Sequence, residues 1–154
     1  MLDLYIEFKA VVAALETAGV PFALCGGLAL AVYGRPRATV DIDLLVPRDS
    51  VGAAFLALSP LGFDIPALPM EFCGGSVEIR RVSKVDAEAE DLLSVDLLIV
   101  TSALSAVWDS RRMVAWEGSR LPVVSPEGLI HLKKLRGSGQ DQDDIEALRE
   151  IDEG

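Results

Sequence analysis

Cysteine and histidine are scarce in this chain of 154 residues, which has two Cys and one His. Cys25 and Cys73 are too few for the disulfide framework of a small secreted protein. No paired Cys and His spacing typical of a zinc site is present. Aromatic residues are also few, at 6%, but hydrophobic residues make up 51% of the chain. This composition is typical of a globular protein with a sizeable core.

The sequence also lacks a hydrophobic run long enough to span a membrane. The candidate apolar stretch, residues 20–34, is interrupted by Pro21 and by two adjacent glycines. It is shorter than the about 20 apolar residues that a spanning helix requires. The acidic N-terminal residues do not resemble the basic start of a signal peptide. We therefore expect a cytoplasmic protein that makes no membrane contact.

An excess of positive charge is absent as well, because the formal net charge is −10. Unspecific binding to nucleic acid depends on many Lys and Arg side chains that neutralise phosphates, so the charge argues against it. An RNA end held in a local basic groove remains compatible with this charge. Carboxylates gathered at one place would instead indicate a metal-binding enzyme.

Apolar periodicity predicts an α/β (α+β) protein with a mixed sheet flanked by helices. Strands are predicted at residues 22–25, 40–46, 77–82 and 92–100, and a hairpin at 114–124 that turns at Glu117-Gly118. Helices are predicted at residues 4–15, 28–33, 50–58 (capped by Ser50), 103–108, 125–136 (capped by Ser125) and 141–151. Residues 64–70 should be irregular, and residues 84–91 should form a polar loop. We expect a single domain over 1–154, with the sheet in 1–124 and C-terminal helices in 125–154.

The triplet Asp41-Ile42-Asp43 is the most informative feature of the sequence. Alternate side chains of a strand share one face, so both aspartates point the same way and repel each other. Aspartate is a poor strand former, yet these two begin an apolar run typical of a sheet interior. A hard dication with oxygen ligands, Mg²⁺ above all, would relieve the repulsion. The alternative is that both aspartates lie at an exposed strand start and are simply solvated.

A third carboxylate, Asp96, is the only charge inside the strand predicted at residues 92–100. A buried charge without a partner is costly, so Asp96 needs a cation nearby. If its strand lies beside the strand of Asp41, three carboxylates converge on one patch. Asp96 could instead lie at a sheet edge, or pair with an arginine such as Arg80 or Arg81.

A glycine pair, Gly26-Gly27, directly follows the first predicted strand and precedes a short helix. Glycine lets the backbone approach a ligand closely, and the N–H groups at a helix start favour phosphate. Most glycine pairs are simple turns. This one gains weight because it comes one short helix before the acidic strand.

The glycine pair, the segment from Arg37 and Thr39 through the Asp41-Ile42-Asp43 strand, and the later Asp96 together resemble the nucleotidyltransferase superfamily. Residues 26–46 resemble most closely its branch of AbiEii-type toxins from bacterial toxin–antitoxin systems. The segment from Glu127 to Lys133, with Asp141 and Asp144 beyond it, resembles that branch's helical segment. Many active members have Gly-Ser where this chain has Gly-Gly, although the AbiEii-like branch commonly has the second form.

The resemblance implies a nucleotidyltransferase-like fold and a role for each residue of the motif. Asp41, Asp43 and Asp96 would bind two Mg²⁺ ions, with Mn²⁺ as the alternative ion, and Asp96 would also accept the acceptor's proton. Lys133, rather than its neighbour Lys134, would be a fourth catalytic residue and, like Arg37, a cation for phosphate. Substrate binding would involve Gly26, Gly27, Arg37, Thr39, Asp141 and Asp144.

Some of these residues also have ordinary structural explanations. Arg37 fits a surface loop, Lys133 fits the solvated face of a helix, and Asp141 and Asp144 fit the first turn of one.

The function that the resemblance implies is transfer of a nucleoside monophosphate from an NTP to an acceptor hydroxyl. The acceptor of a toxin would be tRNA, and the toxin would have a cognate antitoxin as its partner. A transferase of the antibiotic-modifying type, acting on a small molecule, would have the same site. A binding module that keeps the fold without catalysis is the alternative outside the enzymes.

Overall fold

The computed structural model describes residues 1–35, 40–136 and 149 of the chain. Within these residues the backbone forms one mixed β-sheet with helices against its two faces. The predicted fold class is confirmed. No helix in the described part of the chain is long and apolar enough to cross a membrane.

The sheet contains eight strands within the described residues, and the two parallel pairings lie near its centre. In spatial order, β3, β5, β6, β2, β1, β8 and β7 are neighbours, and β4 also pairs with β5. Strands β2 and β6 are parallel, as are β1 and β8, and the other pairs are antiparallel. The strands are β1 (Ala23–Cys25), β2 (Asp41–Val46), β3 (Ile65–Pro66), β4 (Met70–Phe72), β5 (Val77–Asp86), β6 (Asp91–Ile99), β7 (Arg112–Trp116) and β8 (Ser119–Val123).

Side-chain hydrogen bonds cap the starts of two helices, and of these only the cap by Ser125 was predicted. The Asp3 carboxylate accepts a hydrogen bond from the Ile6 N–H, and the Ser125 hydroxyl accepts one of 3.0 Å from the Gly128 N–H. Ser50 precedes its helix as predicted, but its side chain makes no capping bond. The helices are α1 (Leu4–Thr17), α2 (Gly26–Val32), α3 (Val51–Leu58), α4 (Ser105–Asp109) and α5 (Pro126–Arg136).

The central strands bury one face completely. Ile42 and Leu44 of β2 and Leu97 of β6 have no solvent exposure, and they belong to one core cluster with α1 and α3. Because side chains alternate along a strand, Asp41 and Asp43 lie on the opposite face of β2. The core therefore fixes which side of the sheet carries the carboxylates.

Two predictions for the middle of the chain are wrong. Residues 84–91 were expected to be a loop, but β5 continues to Asp86 and β6 begins at Asp91, so that only residues 87–90 turn. Residues 64–70, expected to be irregular, contain β3 and the start of β4, which both pair with β5. In each case hydrogen bonding to a neighbouring strand outweighs a polar or proline-containing sequence. The helix predicted at 141–151 falls almost entirely outside the described residues.

Candidate active site

Four neighbouring strands bring Cys25, Asp43, Asp96 and Arg81 into one row across the sheet. Cys25 of β1 is the register partner of Asp43, Asp43 is the partner of Asp96, and Asp96 is the partner of Arg81. Register partners on adjacent strands have their side chains on the same face. The two carboxylates that the sequence placed on separate strands are therefore direct neighbours.

Asp41 belongs to the next row of the same face. It lies opposite Ser94 of β6, which in turn lies opposite Ser83 of β5. The two serine hydroxyls are buried and lie 2.8 Å apart, within hydrogen-bond distance. One face of the sheet thus carries Asp41, Asp43 and Asp96, as predicted. The neighbours of Asp41 across the sheet on this face are the two serines rather than apolar core residues.

Gly26 lies directly against the Asp43 carboxylate. Its φ of +69° is in the left-handed region, and a Cβ at this position would come within 2.2 Å of Asp43 Oδ2. No other amino acid fits here without displacing Asp43. Gly27, which follows, is buried in the first turn of α2. Gly26 therefore has a steric function at the acidic strand.

Arg81 forms a bidentate ion pair with Asp96. Its Nε donates to Oδ1 at 2.7 Å and its Nη2 donates to Oδ2 at 2.9 Å, so each carboxylate oxygen accepts one guanidinium hydrogen bond. The Asp96 side chain is 8% exposed and the Arg81 side chain 38%. Two of the hypotheses for Asp96 are therefore met at once: it pairs with an arginine, and it lies beside Asp43.

The electrostatics of this face reflect crowded negative charge. Burial and the nearby Asp96 carboxylate raise the pKa of Asp41, while Arg81 opposes the shift. Burial and the Asp43 carboxylate raise the pKa of the Cys25 thiol well above its usual value. Cys25 is 1% exposed, so it packs in the core as a small apolar residue.

A cavity of about 540 Å³ opens over the row of register partners. Asp41, Asp43, Asp96, Arg81 and Gly26 line its polar part. Its remaining walls are mostly apolar and come from β4, β5, β6 and α5, with lining residues Met70, Phe72, Val77, Ile79, Leu98, Leu129, Leu132 and Leu135. The volume is within the range of small-molecule sites.

Helix α5 contributes a basic side chain to this cavity. Lys133 is 7% exposed and lines the cavity wall, whereas Lys134 is exposed to solvent. The Tyr33 hydroxyl, at the end of α2, donates a hydrogen bond of 2.8 Å to the Val124 carbonyl, which lies just before α5. The resemblance singled out Lys133 over Lys134, and the structure places Lys133 at the carboxylates' cavity.

Four of the predicted site residues lie outside the described residues. These are Arg37, Thr39, Asp141 and Asp144. Of the others, the structure brings Gly26, Asp41, Asp43, Asp96 and Lys133 to one cavity. Sequence reasoning considered Arg81 only as a structural partner of Asp96 and missed its place in the cavity.

The donor set suits Mg²⁺ in its chemistry, because all three carboxylates offer oxygen and Mg²⁺ prefers oxygen ligands. Burial and the Asp96 carboxylate raise the pKa of Asp41 by disfavouring its charged form, which a bound cation would favour. Among the residues that the structure describes, however, no three His, Cys, Asp or Glu side chains are grouped closely enough to hold an ion. Both oxygens of Asp96 face Arg81 instead.

Known proteins resemble the chain in part of its sequence and in its fold. The family model described as nucleotidyl transferase AbiEii toxin, Type IV TA system, matches residues 10–71, which include Gly26, Asp41 and Asp43. This match confirms the resemblance to the AbiEii-type branch. No curated protein sequence matches the chain.

Three solved structures illustrate the fold. The antibiotic-resistance factor ANT(2'')-Ia has 18% identity and a TM-score of 0.59, with 95% of this chain and 80% of that chain covered. The lincosamide antibiotic adenylyltransferase LnuA, in a lincomycin-bound crystal structure, has 16% identity and a TM-score of 0.59, with 94% and 96% covered. A putative nucleotidyltransferase from Thermotoga maritima has 17% identity and a TM-score of 0.57, with 96% and 90% covered.

The chain has the nucleotidyltransferase fold. The likeness to the nucleotidyltransferase structures extends beyond the 10–71 segment, since they cover more than nine tenths of the chain. It therefore includes β5, β6 and α5, which supply Arg81, Asp96 and Lys133. Within this nucleotidyltransferase fold, the family segment carries the first two carboxylates and the later strands and helix complete the cavity.

Proposed function

We propose that this protein is a metal-dependent nucleotidyltransferase that moves a nucleoside monophosphate from an NTP to an acceptor hydroxyl. The observation that carries the proposal is the pairing of Asp43 with Asp96 on adjacent parallel strands, beside Gly26 and at the floor of a cavity. Carboxylates in this position have no packing role that an apolar residue would not fill better. The nucleotidyltransferase fold and the AbiEii match support the same reaction class.

The residues around the cavity can divide the work of the reaction. The triphosphate would lie against the Gly26-Gly27 backbone, since Gly26 lines the cavity directly beside the Asp43 carboxylate. Lys133, buried in the cavity wall, would face a phosphate with its ammonium group. Asp96 would accept the proton of the acceptor hydroxyl as its oxygen bonds to the α-phosphorus and pyrophosphate departs. Most of the catalysis would come from placement and charge neutralisation.

Asp41, Asp43 and Asp96 are the residues that would hold Mg²⁺, with Mn²⁺ as a substitute. Two bound ions would supply charge neutralisation at the transferred phosphate. The protein's own contribution is to hold the carboxylates rigidly, through β2 and β6, whose opposite face is fully buried at Ile42 and Leu97.

Calorimetry tests the proposal directly. NTP binding should require Mg²⁺ and should be abolished or greatly weakened by Asp43→Asn, which keeps the shape of the side chain but removes its charge. Asp49→Asn is the matched control, because Asp49 is an exposed carboxylate just beyond the end of β2. Equal NTP affinity with and without Mg²⁺ would count against the enzyme and favour a non-catalytic binding module.

The proposed acceptor is an RNA end, with tRNA as the expected substrate and a cognate antitoxin as the expected partner, because the matching family is one of toxins in a toxin–antitoxin system. Incubation with radiolabelled NTPs and total RNA would detect transfer to RNA as labelled bands. The Asp43→Asn variant provides the background. Labelled RNA of tRNA size, absent with the variant, is the expected result.

A small-molecule acceptor is the second candidate, and the apolar walls of the cavity favour it. The leucines of α5 and the side chains of β4 and β5 would contact an apolar or ring-containing body next to the carboxylates. ANT(2'')-Ia and LnuA, which share the fold, are an antibiotic-resistance factor and a lincosamide antibiotic adenylyltransferase. Label that passes to aminoglycosides or lincosamides but not to RNA would support this candidate over the first.

A further inference from the structure

Arg81 carries the inference, since it is the cation closest to the third carboxylate and it also borders the cavity. Its guanidinium takes both oxygens of Asp96 through hydrogen bonds of 2.7 and 2.9 Å. The Arg81 side chain is 38% exposed and lines the cavity, whereas Asp96 is nearly buried. A ligand in the cavity can therefore reach the Arg81 guanidinium more readily than it can reach the nearly buried Asp96 side chain.

A dication and the Arg81 guanidinium compete for the same carboxylate. Both are positive, and both would use the two oxygens of Asp96, so placing them together costs electrostatic energy. The described residues contain no ready three-ligand group although three aspartates share the face, and both oxygens of Asp96 are engaged by Arg81. Binding of a metal at Asp96 is therefore opposed while Arg81 keeps both of its hydrogen bonds to this carboxylate.

A triphosphate offers Arg81 an alternative partner. A guanidinium binds phosphate oxygens through the same two-pronged geometry that it uses with a carboxylate. The phosphates of an NTP beside Gly26 would lie in the cavity that Arg81 lines. An exchange of partners would leave Arg81 paired at every stage.

We infer that Arg81 holds Asp96 as an internal counter-ion in the ligand-free protein and moves to a phosphate group when the metal-bound nucleotide enters. This inference rests on the proposed function. It makes Arg81 a nucleotide-binding residue and a positioning residue for Asp96, and it couples metal binding at the third carboxylate to the presence of a triphosphate. Metal alone should bind weakly, and nucleotide should strengthen it.

The test compares Mn²⁺ binding to the wild-type chain and to Arg81→Gln, by titration calorimetry and electron paramagnetic resonance. Mn²⁺ is titrated alone and together with α,β-methylene analogues of the four NTPs, which are not transferred. Arg80→Gln is the matched control, because Arg80 is adjacent on β5, points to the other face and lies 3.8 Å from Glu78.

Arg81→Gln should bind Mn²⁺ alone about tenfold more tightly than the wild type, since Asp96 is released. The same variant should bind the Mn²⁺-bound analogue about tenfold more weakly than the wild type, because a phosphate contact is lost. Arg80→Gln should match the wild type in both titrations. Mn²⁺ should also raise the melting temperature of Arg81→Gln more than that of Arg80→Gln.

Arg81→Gln leaves a buried carboxylate without its cation, so Arg81→Lys is included as a variant that keeps the charge. Its Mn²⁺ affinity should lie between those of the wild type and Arg81→Gln, because an ammonium group cannot grip both oxygens in the same way. Mn²⁺ affinities of Arg81→Lys and Arg81→Gln equal to that of the wild type, with binding still lost in Asp43→Asn, would overturn the inference alone. Absence of Mn²⁺ and nucleotide binding in the wild type would overturn the proposed function as well.

Discussion

Gly26 and Asp43 touch so closely that the backbone of one determines the position of the other's carboxylate. A methyl group at Gly26 would lie 2.2 Å from Asp43 Oδ2 and 2.8 Å from Asp43 Cβ. Asp43 is also the register partner of Asp96, so a shift of Asp43 caused by a side chain at position 26 would change the position of one carboxylate relative to the other. The glycine is thus part of the geometry of the acidic site, in addition to being a turn residue.

Gly26→Ala should destabilise the protein and abolish Mg²⁺-dependent NTP binding, because Asp43 must move away from the new methyl group. The left-handed backbone alone costs a non-glycine residue about 1–2 kcal/mol. Gly19→Ala is the matched control, since its φ is +70° and a Cβ there would meet nothing within 4 Å. Chemical denaturation gives the stability difference, and calorimetry gives the binding. Equal losses of stability and intact binding in both variants would contradict the contact.

Lys133→Met should weaken NTP binding by about tenfold or more, because a charge-assisted hydrogen bond contributes about 1.5–3 kcal/mol. Methionine keeps much of the buried side chain's bulk and removes the charge. Lys134→Met, at the exposed neighbouring position of α5, should bind NTP as the wild type does. Similar affinities for the two variants would show that Lys133 only packs in the wall.

The two cysteines should differ sharply in reactivity. The Cys25 thiol is buried and its pKa is raised by burial and by Asp43, so little thiolate forms at pH 8. Cys73 is exposed, and its Sγ lies 3.0 Å from the Leu135 carbonyl. Iodoacetamide should therefore modify the native protein once, at Cys73, and the denatured protein twice, as mass spectrometry would show. Rapid native modification of Cys25 would contradict the burial of the row.

Acid should destabilise the protein partly through Glu78. Hydrogen bonding to Arg48 lowers the pKa of Glu78 from its usual 4.5, so the folded state favours the charged form. The resulting stabilisation is complete above the unfolded-state pKa and disappears as the pH falls through the lower folded-state pKa. Glu78→Gln should lower the melting temperature at pH 7 and flatten its decline below about pH 5. Glu16→Gln, an exposed carboxylate, should keep the wild-type decline.

Sequence patterns predicted the local elements well where propensity and tertiary pairing agree. The alternation in β2 placed both aspartates on one face, and the turn at Glu117-Gly118 has positive φ at both residues, as a tight hairpin requires. Prediction failed along β5 beyond Val82, where charged residues remain in a strand because β6 pairs with them. Propensity describes one strand, whereas this pairing depends on its neighbour.

The candidate site was predictable in its residue types, whereas its pairings could be given only as alternatives. Asp43 meets Asp96 only because β2 and β6 are parallel, and a parallel pairing depends on the path of the chain between them. The ion pair of Arg81 with Asp96 depends on the register of the β5–β6 hairpin, which its polar sequence did not indicate. Long-range register, unlike alternation, leaves no periodic trace in the sequence.

The parallel pairing of β2 with β6 also determines when the candidate site can form during folding. The segment 10–71 includes Asp41 and Asp43, but their partner strand is made later and must be inserted between β2 and β5. Such distant contacts form slowly because a long loop has to close first. A nascent or truncated chain that ends before β6 would hold two of the three carboxylates and no completed cavity, so the candidate site should form only with the final assembly of the sheet.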